Sequence, residues 1–75
     1  MKYTNEEELF NIKFSDPVIY ILYHNNKYIL NNYISHYPLC VYSIEISENI
    51  ENILEIGKKY SDKEGIKFLN NEIFI

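Results

Sequence analysis

Seventy-five residues make one small domain, 1–75. A chain of this length buries only about 60–65% of its unfolded surface. With 47% hydrophobic and 24% charged residues it has the composition of an ordinary globular domain. A net charge of −4 and the absence of Arg argue against duplex or phosphate binding, which needs clustered cations.

One cysteine excludes an intramolecular disulfide. No charged-then-apolar leader pattern opens the chain, and no apolar run reaches the ~20 residues of a membrane span. A reducing, cytoplasmic location is the expectation. Eight Tyr and four Phe replace a missing Trp. Ile, Asn, Lys and Tyr, all with AT-rich codons, point to an AT-rich bacterial, viral or mobile-element genome.

Thr4-Asn-Glu-Glu7 reads as a capping box. It opens a short helix with acids at 6–8, where the helix dipole favours them. Leu9, Phe10 and Ile12 give it an apolar side, and Ser15-Asp16-Pro17 ends it near Lys13. Pro17–Tyr23 is the first strand, apolar on both faces and so an inner one. Asn25 or Asn26 then caps a helix over 27–37, whose Leu30, Tyr33, Ile34 and Tyr37 form one stripe before Pro38 stops it.

Leu39–Ile46 is the second strand, with Leu39 and Val41 on one face and Cys40, Tyr42, Ile44 and Ile46 on the other. Ser43 and Glu45 thin out the first face toward the strand's end, as expected of an edge strand or of a face that becomes wet. Ser47 or Asn49 caps a third helix to about Tyr60, with Ile50, Ile53, Leu54, Gly57 and Tyr60 inward and Gly57 as a close-packing position. After the connection 61–65, Ile66–Leu69 and Glu72–Ile75 read as a hairpin turning at Asn70-Asn71. The expected order is α-β-α-β-α-β-β, with two parallel strands, a right-handed crossover and a four-stranded mixed α/β sheet flanked by helices.

In this order and spacing, Thr4–Phe10, Asp16–Tyr23, Leu39–Asn49, Leu54–Tyr60 and Ile66–Phe74 resemble the elements of a minimal thioredoxin-like fold. The resemblance implies a scaffold without dithiol chemistry. The segment matching the family's Cys-x-x-Cys is Tyr23-His-Asn-Asn-Lys27, and the segment that should hold its cis-proline, 61–65, has none.

The remaining chemistry is sparse. Cys40, between Leu39 and Val41, is expected buried and inert; a monothiol role or an intermolecular disulfide is the alternative. His24 at a strand-to-helix turn would feel the helix dipole and could meet an anion. His36 falls near a helix end. The two histidines lack a third ligand, so neither metal nor cofactor is expected. Tyr20, Tyr33 and Tyr42 are expected in the core, and Tyr3, Tyr23, Tyr28 and Tyr37 partly exposed.

The expected function is protein–protein binding without catalysis, as in a compact phage- or mobile-element-type inhibitor of a host defence or nuclease complex. His24, Asn25, Asn26, Glu45, Glu48, Glu51 and Glu55 are the candidate binding residues, the acids facing a basic surface. The alternatives are a degenerate monothiol oxidoreductase using Cys40 and a self-associating protein paired through edge strand 39–46, with Ile73–Ile75 as a second open edge.

Overall fold

The computed structural model describes residues 2–11 and 17–75. In chain order the elements are β1 (Lys2–Thr4), α1 (Glu6–Asn11), β2 (Val18–His24), β3 (Lys27–His36), β4 (Leu39–Ser47), α2 (Ile50–Glu64) and β5 (Lys67–Phe74). The five strands form one mixed sheet in the order β1-β5-β2-β3-β4. β2, β3 and β4 are an antiparallel meander, and β5 lies parallel to both β1 and β2.

β2 is the axis of the fold. Alternate side chains of a strand point to opposite faces, and both faces of β2 are covered. Val18 and Tyr20 pack with Leu9, Tyr33 and Phe74 on the α1 side. Ile19 and Ile21 pack with Leu30, Ile53 and Ile73 on the α2 side. The all-apolar reading of this strand is borne out.

α2 begins where its sequence places it but runs on to Glu64, so residues 61–64 are helix and not the expected connection after Tyr60. Asn49 caps it, accepting from the Glu51 N–H at 2.9 Å, and Gly65 ends it in the left-handed region at φ 67°. Ile53 and Gly57 are buried, and Ile50, Leu54 and Tyr60 pack beside them. A methyl group on Gly57 would overlap the Phe68 ring, so the expected close approach is real.

The expected four-stranded α-β-α-β-α-β-β order is overturned, and with it the thioredoxin-like arrangement. The cause is residues 27–37. The stripe Leu30, Tyr33, Ile34 and Tyr37 suits a helix, yet the segment is strand β3, paired on both sides. Asn25 and Asn26 cap nothing; they adopt φ 52° and 62° and turn the β2–β3 hairpin. β2 and the strand 39–46 are therefore not parallel neighbours, because β3 lies between them.

The chain end differs too. Asn70-Asn71 makes no hairpin, and β5 runs through it as one strand. Against β2 the register jumps from Ile19↔Phe68 to Ile21↔Ile73, so the extra residues, the Asn pair among them, bulge out of the ladder. Ile73–Ile75 is not an open edge: β1 covers β5, and the Ile75 N–H donates to the Thr4 carbonyl at 2.8 Å. Thr4 belongs to β1, so the cap of α1 is Asn5, whose Oδ1 accepts from the Glu7 N–H at 2.8 Å. The expected helix end at Ile12–Lys13 and the breaker at Ser15–Asp16 lie outside the described residues.

Candidate functional site

Two adjacent asparagines in the middle of β3 organise the polar interior. Asn31 and Asn32 are both buried and, being neighbours in a strand, point to opposite faces. On the α1 side Tyr20 donates to Glu6 at 2.7 Å, the Asn31 amide donates to Tyr20 at 3.4 Å, and Ser43 donates to Asn31 at 3.0 Å. This chain ties α1, β2, β3 and β4 together. Burial first, and then the bond to Glu6, push the Tyr20 phenol well above its ordinary pKa.

On the α2 side the Asn32 amide donates to Tyr42 at 3.1 Å, and the Tyr42 and Tyr60 hydroxyls meet at 3.4 Å. The bond with Tyr42, followed by desolvation, raises the Tyr60 phenol. Asn32 Oδ1 is buried and has no partner. One half of this side chain is therefore desolvated without return.

β4 forms one edge of the sheet; β1, three residues long, forms the other. Few side chains of β4 are covered. Leu39 is 55%, Tyr42 48% and Ile46 52% exposed, and Tyr37 at the preceding turn is 86% exposed. Tyr42 is thus not the core residue its sequence suggested. The expected face pattern also breaks, because Leu30↔Glu45 is followed by Asn31↔Ser43, which leaves Ile44 as a bulge. Tyr42 opposite Asn32 and Ile46 opposite Ile29 consequently lie on different faces.

Cys40 is exposed, which corrects the expectation of a buried thiol. It lies opposite Ser35 on this edge strand. His36 ends β3 rather than a helix; its ring meets Tyr37 at 4.4 Å, and its buried Nδ1 has no partner.

The turn residues His24, Asn25 and Asn26 and the acids at the β4–α2 junction come to one end of the sheet, whereas Glu55 lies further along α2. His24, Asn25 and Asn26 are exposed at the β2–β3 turn. The pairs His24↔Lys27 and Tyr28↔Ser47 bring that turn level with the end of β4, beside Glu48 and the start of α2. No helix follows His24, so the dipole and anion reading of this turn falls. Glu45, Glu48, Glu51 and Glu55 are all exposed. Glu45 accepts from the Ile46 N–H at 3.1 Å, and Glu55 pairs with Lys59 at 2.9 Å.

The Tyr23 and Tyr28 rings meet at 4.9 Å, tilted by 52°, behind the turn. Burial, then a bond with Tyr3, raises the Tyr28 phenol. Among the described residues no group of three or more His, Cys, Asp or Glu could hold a metal ion. Compared with known proteins, the chain matches no family model, no curated protein and no solved structure.

Proposed function

We propose that the chain works by binding another protein along the β4 edge, without catalysing a reaction. The observation that carries this reading is the edge itself. It is nine residues long, it ends the sheet, and its unpaired backbone N–H and C=O groups are flanked by exposed Leu39, Tyr42 and Ile46. Such an edge is a template for an added strand. Main-chain bonds would supply affinity, and the side chains above and below the sheet would supply selectivity.

Glu45, Glu48 and Glu51 rim one end of this edge, with the polar turn at His24–Asn26 beside them. They suit a partner whose basic groups lie beyond the strand it adds. The strand makes the contact, and the acids set orientation and on-rate.

The test is affinity capture from extracts of the source cells, comparing the natural chain with Leu39→Lys and Ile46→Lys. Both side chains are exposed, so neither substitution disturbs the core. Proteins retained by the natural chain and lost from both variants support the reading. Retention unchanged in both variants contradicts it.

Thiol–disulfide chemistry at Cys40 is the second reading, favoured by the exposure of this thiol. Exchange with a small disulfide much faster than that of free cysteine, and abolished in Cys40→Ser, would establish it. Exchange no faster than free cysteine leaves binding as the function.

A further inference from the structure

The unpaired half of Asn32 points to what an added strand must carry. We infer that the segment bound along β4 sets an arginine directly opposite Tyr42, its guanidinium laid on the Tyr42 ring and donating to Asn32 Oδ1. The inference rests on the reading of β4 as the binding edge and names the residue by which that edge selects its partner.

Asn32 is 1% exposed, and its amide donates to the Tyr42 hydroxyl at 3.1 Å. Its Oδ1, the other end of the same amide, accepts nothing. Asn31, one residue away, has both ends of its amide paired. A buried acceptor without a donor is uncommon in folded chains and lowers stability.

Tyr42 leads to this atom from outside. It stands on β4 opposite Asn32, half exposed, with its hydroxyl at the Asn32 amide and 3.4 Å from the Tyr60 hydroxyl. A side chain laid along the ring from the edge arrives at the same amide. Tyr42 is the group that shifts to admit it.

Reach and charge narrow the choice. Neighbouring strands lie about 4.8 Å apart, so a residue facing Tyr42 from an added strand is roughly 10 Å from the Asn32 backbone. Ser, Thr and Asn side chains fall short of this; Arg and Lys span it. Residues 28–57 hold Glu45, Glu48, Glu51 and Glu55 and no Lys or Arg, so the net charge of −4 resides there. The lysines of α2 begin at Lys58, and Lys59 is paired with Glu55.

Glu45 pairs with Leu30, which packs against α2, so Glu45 shares the face of Tyr42. The Tyr60 phenol, raised first by its bond with Tyr42, also feels the carboxylate of Glu64. These surroundings draw a cation. Arg suits them better than Lys, because its planar head stacks on an aromatic face and presents several N–H donors in a fixed fork.

The test is a heteronuclear NMR titration of the full chain with the peptide Thr-Thr-Val-Arg-Val-Thr-Thr, blocked at both ends, and with the same peptide carrying norleucine for Arg. Both should shift backbone amides of β4, which reports pairing at the edge. The Arg peptide alone should move the Asn32 side-chain amide. It should also bind about tenfold tighter, the worth of a charge-assisted bond to a buried acceptor.

In Asn32→Leu, which keeps the fold and removes the acceptor, that preference should shrink to about threefold, the worth of an exposed charge contact. Equal affinity for the two peptides, with β4 shifts from both, overturns the arginine while binding at the edge stands. A tenfold preference kept in Asn32→Leu also overturns it, since the acceptor is then elsewhere. If neither peptide shifts a β4 amide, both the arginine and the edge reading fail.

Discussion

Asn31 and Asn32 differ by one position and by the whole of their hydrogen bonding. Asn31 uses both ends of its amide, toward Tyr20 and Ser43; Asn32 uses one, toward Tyr42. A buried polar atom left unpaired costs about 1–3 kcal/mol, whereas a fully paired group contributes. Asn32→Leu is therefore expected to stabilise the chain by about 1 kcal/mol in a denaturant titration, since Tyr42 is exposed and can turn to water. Asn31→Leu is expected to destabilise it by about 1–2 kcal/mol, because Tyr20 and Ser43 both lose a partner. A destabilising Asn32→Leu would show that its Oδ1 is satisfied in solution.

Tyr20 adds a pH signature. Its phenol lies above the ordinary 10.0 in the folded chain. A folded pKa above the unfolded one makes a contribution that is complete below the unfolded value and is lost as pH rises toward the folded value. Stability should consequently fall above about pH 10, and less steeply in Tyr20→Phe than in the natural chain. At neutral pH Tyr20→Phe should cost about 1–2 kcal/mol, through loss of the bond to Glu6. Equal slopes for the two proteins above pH 10 would contradict the raised phenol.

At the scale of elements, the two Asn-Asn pairs show what could be read from sequence and what could not. Asn25-Asn26 suggested a helix cap and is a hairpin turn; Asn70-Asn71 suggested a hairpin turn and is a bulge inside β5. Both readings rest on a true property, since Asn adopts the left-handed conformation readily. The property does not say which element follows. Residues 27–36 carry helical spacing of apolar groups, but also Ile and Tyr suited to a strand, and tertiary pairing with β2 and β4 decides in favour of the strand.

β2 and α2 were legible because every local signal agreed. β2 is apolar throughout, and α2 has its cap, its stripe and its ordered charges. β1 was not legible, because three residues carry no periodicity and are fixed only by pairing with β5. Of the candidate site, the edge character of 39–46 was readable from Ser43 and Glu45. The exposure of Tyr42 and Cys40 was not, because it depends on how far α2 reaches across the sheet.

Two substitutions test these elements. Asn26→Gly, at φ 62°, should raise stability by up to about 1 kcal/mol by removing the side chain's cost in the left-handed region. Gly57→Ala should lower it by about 1–2 kcal/mol, because overpacking against Phe68 outweighs the gain in helix propensity. Phe68→Leu in the Gly57→Ala background should recover part of that loss. A double-mutant cycle with no coupling would contradict the contact.

For the whole molecule, one strand buried on both faces holds two small cores, and the sheet grows outward from it to very different edges. One edge is the short β1, tied to β5 by pairing and by the Thr4 hydroxyl donating to Glu72 at 2.9 Å. The other is β4, long and apolar, divided by its bulge into a neutral run and an acidic end. No helix among the described residues is long and apolar enough to cross a membrane.

The central claim is that β4 is the surface on which this chain is bound. Amide hydrogen–deuterium exchange along the chain, compared between the free chain and the chain holding its captured partner, tests it most directly. The prediction is new protection confined to residues 39–47, with exchange in β1 unchanged. Exchange in β4 that is the same free and bound, or protection that appears at β1 instead, would contradict it.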